Sequence, residues 1–209
     1  MTTPQENVQS SGMGHIQNSI KRAFDFSVAV ICMIVFSPLI VLCYILIKLE
    51  DGGPAIFKQE RIGQYSKPFY IYKFRSMDPD AEKDGPSLYH HENDQRITRI
   101  GKILRRHHLD ELPQLWNVVK GDMAFIGPRP ERKYYIDQIM ERDPRYELLY
   151  VLRPGVTSYA TLHNGYTDTI EKMLKRLEMD LYYLEHQSLL MDIKILWKTF
   201  VNIVSGKIF

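Results

Sequence analysis

The chain has 209 residues, 44% of them hydrophobic and 25% charged, which fits one domain of ordinary size and excludes a bundle of many membrane spans. A formal net charge of +2 is too small to argue for nucleic acid, and none is expected as a partner. Cys32 and Cys43, the two cysteines, lie in one apolar run, which excludes a disulfide scaffold and a cysteine-based zinc site.

Residues 1–19 are polar and aperiodic and read as a disordered tail. Residues 20–48 read as a membrane segment. Lys21 and Arg22 introduce Phe26 to Ile47, an uncharged stretch of 22 residues. As a helix it would be about 33 Å long, enough to cross a bilayer core. No small-residue cleavage site follows, which argues against a signal peptide. Ser37-Pro38 interrupts the run, and Pro38 removes a backbone donor while its ring crowds the carbonyl of Ile34. The Ser37 hydroxyl is a candidate partner for the freed groups. Cations flank both ends, with Lys48, Lys58 and Arg61 on the far side, so the positive-inside tendency keeps both flanks cytoplasmic. A helix that enters, breaks and returns satisfies both facts, and a proline-kinked single span is the alternative.

Residues 49–209 read as a cytoplasmic domain. Asp51-Gly52-Gly53-Pro54 marks a turn, and Ala55–Lys58 and Phe69–Arg75 predict a hairpin around Gly63–Pro68. Lys73 and Arg75 share a face with Phe69 and Ile71, which suggests an anionic ligand nearby; an edge strand carrying lysine is the plainer reading. Asp78–Asp94 is acidic, aperiodic and broken by Pro79 and Gly85-Pro86, and predicts a mobile loop. Thr98–Leu109 predicts a helix, with five Lys or Arg and no acid between Arg96 and Leu109. Apolar spacing at Leu115, Val118 and Val119 stops at Gly121. Gly127-Pro128-Arg129-Pro130 and Arg153-Pro154-Gly155 are stiff loops, and helical patterns resume over Thr169–His186. Leu189–Phe209 is amphipathic, suited equally to lying in the headgroup plane and to packing on the domain.

Asp110 and Glu111 are the first candidates for chemistry. They follow the basic stretch containing Arg105 and Arg106 and precede Pro113. An acid among cations keeps its charge and can bind a divalent cation. A carboxylate can also attack phosphorus once arginines and magnesium cancel the repulsion between two anions. Arg129, held between prolines, presents its guanidinium from a rigid loop suited to forked phosphate recognition. Arg132 and Lys133 read as solvated cations. His107 and His108, adjacent on a helix, point to different faces and share no metal. Asp180 and Asp192 read as caps or surface acids. No glycine-rich nucleotide cradle, P-loop lysine motif or nucleophile elbow is present.

In chain order Lys21-Arg22-x-x-Asp25, Ser37-Pro38, Asp51-Gly52-Gly53-Pro54, Lys58-Gln59-x-Arg61-x-Gly63 and Tyr72-Lys73-Phe74-Arg75-Ser76-Met77 resemble the bacterial sugar transferase family. The likeness continues through Leu109-Asp110-Glu111-Leu112-Pro113-Gln114, Gly121-Asp122-Met123, Gly127-Pro128-Arg129-Pro130 and Arg153-Pro154-Gly155, and covers residues 19–209. This is the family of monotopic phosphoglycosyl transferases, which start membrane glycan assembly (capsule, exopolysaccharide, O-antigen or glycoprotein).

The resemblance implies an α+β fold: a re-entrant membrane helix broken at Ser37-Pro38, then a small, mainly helical cytoplasmic domain with a short β-hairpin and interfacial amphipathic helices. It implies a location on the cytoplasmic face of the bacterial inner membrane, in contact with its lipid. The implied reaction moves a sugar 1-phosphate from a UDP-sugar to undecaprenyl phosphate and releases UMP. By that carry-over Asp110 is the nucleophile, Glu111 assists with Mg2+, and both acids are candidate metal ligands. Arg105 and Arg129 would bind phosphate oxygens, with Lys73, Arg75 and Arg153 as further substrate-binding candidates. Lys21 and Arg22 would meet the lipid phosphate or headgroups. Many members continue after Arg-Pro-Gly with a Gly and an Ala-Gln-Val-Asn-Gly-like run, whereas this chain reads Val156-Thr157-Ser158-Tyr159-Ala160-Thr161-Leu162-His163-Asn164-Gly165, so the sugar is not carried over. A homo-oligomer is compatible with the family; the additional N-terminal spans of larger members are not expected here, so oligomerisation through them is not assumed.

Overall fold

A computed structural model describes residues 12–81, 94–165, 167 and 169–205. Residues 1–11 of the polar tail, 82–93 of the acidic loop and 206–209 of the amphipathic end lie outside the described residues.

Helix α1 (His15–Val35) meets α2 (Ser37–Asp51) at Phe36 with a bend of 62°. Pro38 opens α2, where its missing donor costs nothing. The Ser37 hydroxyl donates to the Ile34 carbonyl at 2.7 Å, filling the acceptor that the break exposes. No single described helix is long and apolar enough to cross a membrane; α1 and α2 pass that test only as a bent pair. The helix starts earlier than its polar composition suggests. Residues 15–19, expected in the tail, are helical because Met13 is buried and Gly12 donates to the Leu184 carbonyl at 3.0 Å, pinning the entry.

Strands β1 (Ile56–Ile62) and β2 (Pro68–Phe74) form the expected antiparallel hairpin, with Lys58 opposite Tyr72 and Glu60 opposite Tyr70. Met77 bridges Ile97 across the base of the acidic loop. Helix α3 (Arg99–Arg106) starts at Thr98, whose hydroxyl accepts from Gly101 N at 2.9 Å. A Cβ on Gly101 would collide with the Ser76 carbonyl, so only glycine lets α3 lie this close to the chain leaving the hairpin. Helix α4 (Gln114–Lys120) ends at Gly121, which adopts φ 90° as a left-handed cap.

The second half holds short elements that the sequence patterns do not predict, and Gly155, expected in a stiff loop, opens a strand. Strands β3 (Ala124–Ile126) and β4 (Gly155–Thr157) pair in parallel, with α5 (Lys133–Arg142) and a 3-10 segment (Pro144–Val151) between them. After α6 (Thr161–Asn164) comes α7 (Ile170–His186), capped by the Thr169 side chain, and then α8 (Leu189–Val204), capped by Ser188. The architecture is a mostly helical α+β domain with one hairpin and one short parallel pair.

Among the described residues three apolar clusters hold it together, each fully buried aliphatic side chain contributing roughly 1.5–3 kcal/mol. Ile126, Ile136, Ile139, Leu177, Leu184 and Ile195 join β3, α5, α7 and α8. Ala29, Ile71, Leu115, Val118 and Met123 seat α1 on β2 and α4. Cys43, Ile47, Ala55, Phe74 and Leu104 seat α2 on the hairpin and α3.

Asp180 and Asp192, read as caps or surface acids, are both buried. Their partners lie on other elements or a helical turn away: Asp192 accepts from Lys21 at 2.5 Å and from the Tyr183 hydroxyl at 2.6 Å. Helix α8 docks through Asp192 and Ile195, which leaves Ile193, Trp197 and Phe200 exposed, Trp197 at 66%. Most of the stripe that could have packed on the domain therefore points away from it. Ile31, Ile34 and Val35 on α1 and Val41 and Leu42 on α2 are likewise exposed.

Candidate active site

The dyad is placed by a reversal of the chain. His108 takes a left-handed conformation with φ 53°, and Leu109–Glu111 form one 3-10 turn between α3 and α4. Helix α3 packs on α2 and α4 on β2, so the turn is held against the hairpin at Lys73. The Lys73 ammonium donates to Glu111 Oε1 at 2.6 Å. A charge-assisted bond of this kind contributes roughly 1.5–3 kcal/mol.

The two acids are pushed in opposite directions. Burial raises the Asp110 carboxyl and the Glu111 charge raises it further, against the pull of Lys73, Arg105 and His108. Burial would raise Glu111 too, but Lys73, Arg129 and His108 outweigh it and hold Glu111 at about 2. Glu111 is thus a permanently charged acid already satisfied by a lysine. Asp110 carries the less stabilised charge.

Beside the dyad is a cleft whose charged lining is Arg61, Lys73, Glu111 and Arg129, completed by Ile71, Gln114, Pro130, Gly155 and Val156. Three cations face one acid there, which suits a polyanionic ligand. Two of the stiff loops build this wall. Gly155 N donates to the Pro128 carbonyl at 2.9 Å, and Ala124 N donates to the Pro154 carbonyl at 2.9 Å. A Cβ on Gly127 would collide with the Arg153 carbonyl, and one on Gly155 with the backbone of Gly127. The Pro-Arg-Pro loop can therefore approach β4 only because both positions are glycine.

Of the residues singled out from sequence, the structure brings together Asp110, Glu111, Lys73 and Arg129. Arg105 acts on Asp110 through its charge and anchors its Nε to the Ser76 hydroxyl at 3.0 Å. Arg153 precedes β4 and does not line the cleft; its charge acts on Arg22. Arg75 is committed elsewhere. It is buried, donates from Nη1 to Asp51 Oδ2 at 2.5 Å and from Nε to the Pro54 carbonyl at 2.7 Å, and pairs its Nη2 with the other Asp51 oxygen. Strand alternation fails to put it beside Lys73 because β2 ends at Phe74.

Lys21 and Arg22, expected at lipid headgroups, turn inward instead. Lys21 is buried against Asp192 and Asp25, and Arg22 binds the Val118 and Val119 carbonyls. The buried Asp192 of α8 and Asp25 of α1 hold the lysine, and the carbonyls at the end of α4 hold the arginine, in place of water.

Gln114 and Glu131 carry no role in the sequence, and Arg61, expected there only as a cytoplasmic flank of the membrane segment, lines the cleft. Gln114 lines it too, and both lie inside motifs already noted. Glu131 is buried behind the loop, 2.6 Å from Arg176 and 3.6 Å from Arg61. Burial would raise it, but Arg176, Arg61 and Arg129 hold it below the usual range. A partner 45 residues away leaves no local signal.

Among the described residues no cluster of three or more His, Cys, Asp or Glu side chains could hold a metal. The donor set is two adjacent carboxylates, Asp110 and Glu111. That fits magnesium, which is usually held by one or two carboxylates together with substrate phosphates.

Comparison with known proteins agrees with the motifs. The bacterial sugar transferase family matches residues 16–206. The chain is 42% identical over 187 residues to a UDP-N-acetylgalactosamine-undecaprenyl-phosphate N-acetylgalactosaminephosphotransferase of Aeromonas hydrophila, covering 90% of this chain and 44% of that one. It is 40% identical over 188 residues to a UDP-glucose:undecaprenyl-phosphate glucose-1-phosphate transferase of Caulobacter vibrioides, covering 88% and 70%. An exopolysaccharide production protein of Rhizobium leguminosarum bv. phaseoli is 40% identical over 188 residues, covering 88% and 94%. The chain thus spans less than half of the Aeromonas relative and nearly all of the Rhizobium one. With the dyad, the Pro-Arg-Pro wall and a family match over most of its length, the chain belongs to the bacterial sugar transferase family.

Proposed function

We propose that this protein moves a sugar 1-phosphate from a UDP-sugar to undecaprenyl phosphate, releasing UMP, as the first membrane step of a bacterial surface glycan. The observation that carries this reading is the division of labour in the dyad. Glu111, which lines the cation-rich cleft, is locked to Lys73, which leaves Asp110, the buried acid next to it in the chain, without an ion-pair partner among the described residues.

An ionised Asp110 oxygen attacks the phosphorus that bears the sugar. The bond from that phosphorus to the bridging oxygen breaks, and UMP departs with the electron pair. Arg129 and Arg61 neutralise the diphosphate as it approaches. In the second half an oxygen of undecaprenyl phosphate attacks the same phosphorus, the phosphorus–Asp110 bond breaks, and the carboxylate is restored beside undecaprenyl diphosphate-sugar. Magnesium, when bound by Asp110 and Glu111 with substrate phosphates, would neutralise charge and favour the ionised form of Asp110.

One substrate is a soluble anion and the other stays in the bilayer, so the site belongs at the interface. The exposed apolar faces of α1, α2 and α8 support a monotopic placement on the cytoplasmic leaflet, with α1 and α2 as a re-entrant pair and Trp197 at the headgroup level.

The test is UMP release by purified protein with magnesium across a panel of UDP-sugars, with and without undecaprenyl phosphate. Sustained release with one sugar, dependent on the lipid, is the expected result and names the donor. Absence of release from every donor by folded protein overturns the reading.

A further inference from the structure

We infer that Asn117 is a positioning residue for the dyad, its side-chain amide holding β2 against α4 so that Lys73 stays on Glu111; the catalytic consequence rests on the function proposed above.

Among the described residues the hairpin has two strands, and no other described strand pairs with the edge of β2 away from β1. Asn117, with none of its surface exposed, completes that edge. Its Oδ1 accepts from Tyr72 N at 3.1 Å, and its Nδ2 donates to the Tyr70 carbonyl at 2.7 Å. The amide thus imitates one peptide of a neighbouring strand. The next residue along β2 is Lys73, and six residues before Asn117 is Glu111, 2.6 Å from the Lys73 ammonium. Two links therefore tie β2 to the continuous stretch of chain from the dyad turn into α4, one through the β2 backbone to Asn117 and one through a long, flexible side chain to Glu111. The first fixes where the lysine stem starts, and that decides whether its ammonium reaches the carboxylate.

Chemistry restricts what can replace this residue. Alanine leaves Tyr72 N and the Tyr70 carbonyl without their partner. Aspartate keeps the acceptor but loses the donor, and it sets a carboxylate against Asp122 Oδ2, now 3.3 Å from Nδ2.

Two measurements on the full-length protein test this. In the first, an amine-acylating reagent is added and modification of each lysine is followed by mass spectrometry, with the exposed Lys172 and Lys194 as internal standards. Asn117→Ala is expected to raise the rate at Lys73 by about fivefold or more relative to the standards, since its ammonium is no longer held in a pair. Asn117→Asp should do the same to a smaller degree. An unchanged ratio at Lys73 in both variants overturns the inference, and so does a uniform rise at every lysine, which marks general loosening.

The second measurement is a double-mutant cycle on UMP release. Asn117→Ala should lower kcat by about tenfold with little change in KM, yet cost less than about twofold in a Lys73→Ala background. Losses that multiply show that Asn117 does not act through Lys73. A wild-type protein that releases no UMP refutes the proposed function, while the lysine reactivities still decide the role of Asn117.

Discussion

Arg22 donates from Nη1 to the carbonyl of Val118 at 2.6 Å, joining the first helix of the chain to the last turn of α4. Its Nη2 reaches the Val119 carbonyl at 2.8 Å. The last carbonyls of a helix have no partner within it, and a fork of two donors satisfies two at once. The bent helix pair is thereby fastened to the short helix that starts three residues after Glu111.

Loss of this cap should be measurable as stability. Arg22→Ala is expected to lower unfolding free energy by about 2–4 kcal/mol, since each bond from a charged donor contributes roughly 1.5–3 kcal/mol and part is recovered by water. Arg22→Lys should recover less than half, having one point charge for two acceptors. Denaturant titration in detergent checks both. Unchanged midpoints would return Arg22 to the lipid headgroups.

The dyad predicts a split between its members. Asp110→Asn should abolish UMP release, by about a thousandfold or more, and should also abolish transfer of label from a sugar-labelled UDP-sugar to the protein in the absence of lipid. Glu111→Gln should lower release while leaving labelling detectable. Labelling of Asp110→Asn at the wild-type level would remove Asp110 as the nucleophile.

Gly127→Ala and Gly155→Ala each place a methyl group inside the backbone contact between the Pro-Arg-Pro loop and the chain at the start of β4. Each is expected to destabilise by about 3 kcal/mol or more, because backbone cannot rotate aside as a side chain does. Gly14→Ala, with open space around the added carbon, is the control and should leave the thermal midpoint nearly unchanged.

Asp180 gives the pH dependence a sign. It is buried, its Oδ1 has no hydrogen-bond partner among the described residues, and burial pushes its carboxyl up to about 7 despite the charge of Arg176. The folded state therefore binds this proton more tightly than the unfolded state. Stability from this group is fully present below the ordinary aspartate pKa of about 3.9 and is lost as pH rises through about 7. Asp180→Asn should then be more stable than wild type at pH 8, by an amount on the order of a few kcal/mol that shrinks toward pH 4. Parallel thermal melts across that range would show the two curves converging as pH falls, and curves that stay parallel would refute it.

The proposed topology is open to a direct test. In a protein freed of Cys32 and Cys43, Ser10→Cys and Gly85→Cys should both resist a membrane-impermeant thiol reagent added to intact cells. Labelling of only one would establish a crossing segment and exclude the re-entrant pair.

What the sequence made legible were features coded locally. Thr98, Thr169 and Gly121 mark helix ends where they were expected, the hairpin follows from strand alternation, and Ser37-Pro38 breaks the apolar run where the ring chemistry requires. The dyad and Arg129 were visible as acids and a proline-framed arginine. Hidden from it were relations between distant segments. Arg75 has the composition of a ligand-binding cation, but Asp51, 24 residues before it, takes its fork. The parallel pair β3 and β4 has three residues in each strand, too few to show a period. Lys21 and Arg22 have the composition of a headgroup anchor, and only the fold supplies the Asp192 carboxylate and the α4 carbonyls that claim them.

The buried pair between Lys21 and Asp192 also says something about synthesis. Its members are 171 residues apart, and at about 5–20 residues per second a ribosome needs roughly 10–35 s to make the second after the first. Through that interval the helix offers its lysine only Asp25, 3.9 Å away in the finished fold, and not the closer Asp192 carboxylate, so the ammonium is held less firmly away from the headgroup region that composition alone would assign to it. Docking of α8 then withdraws it. A nascent chain stalled before Asp192 should thus hold its first helix differently from the finished protein.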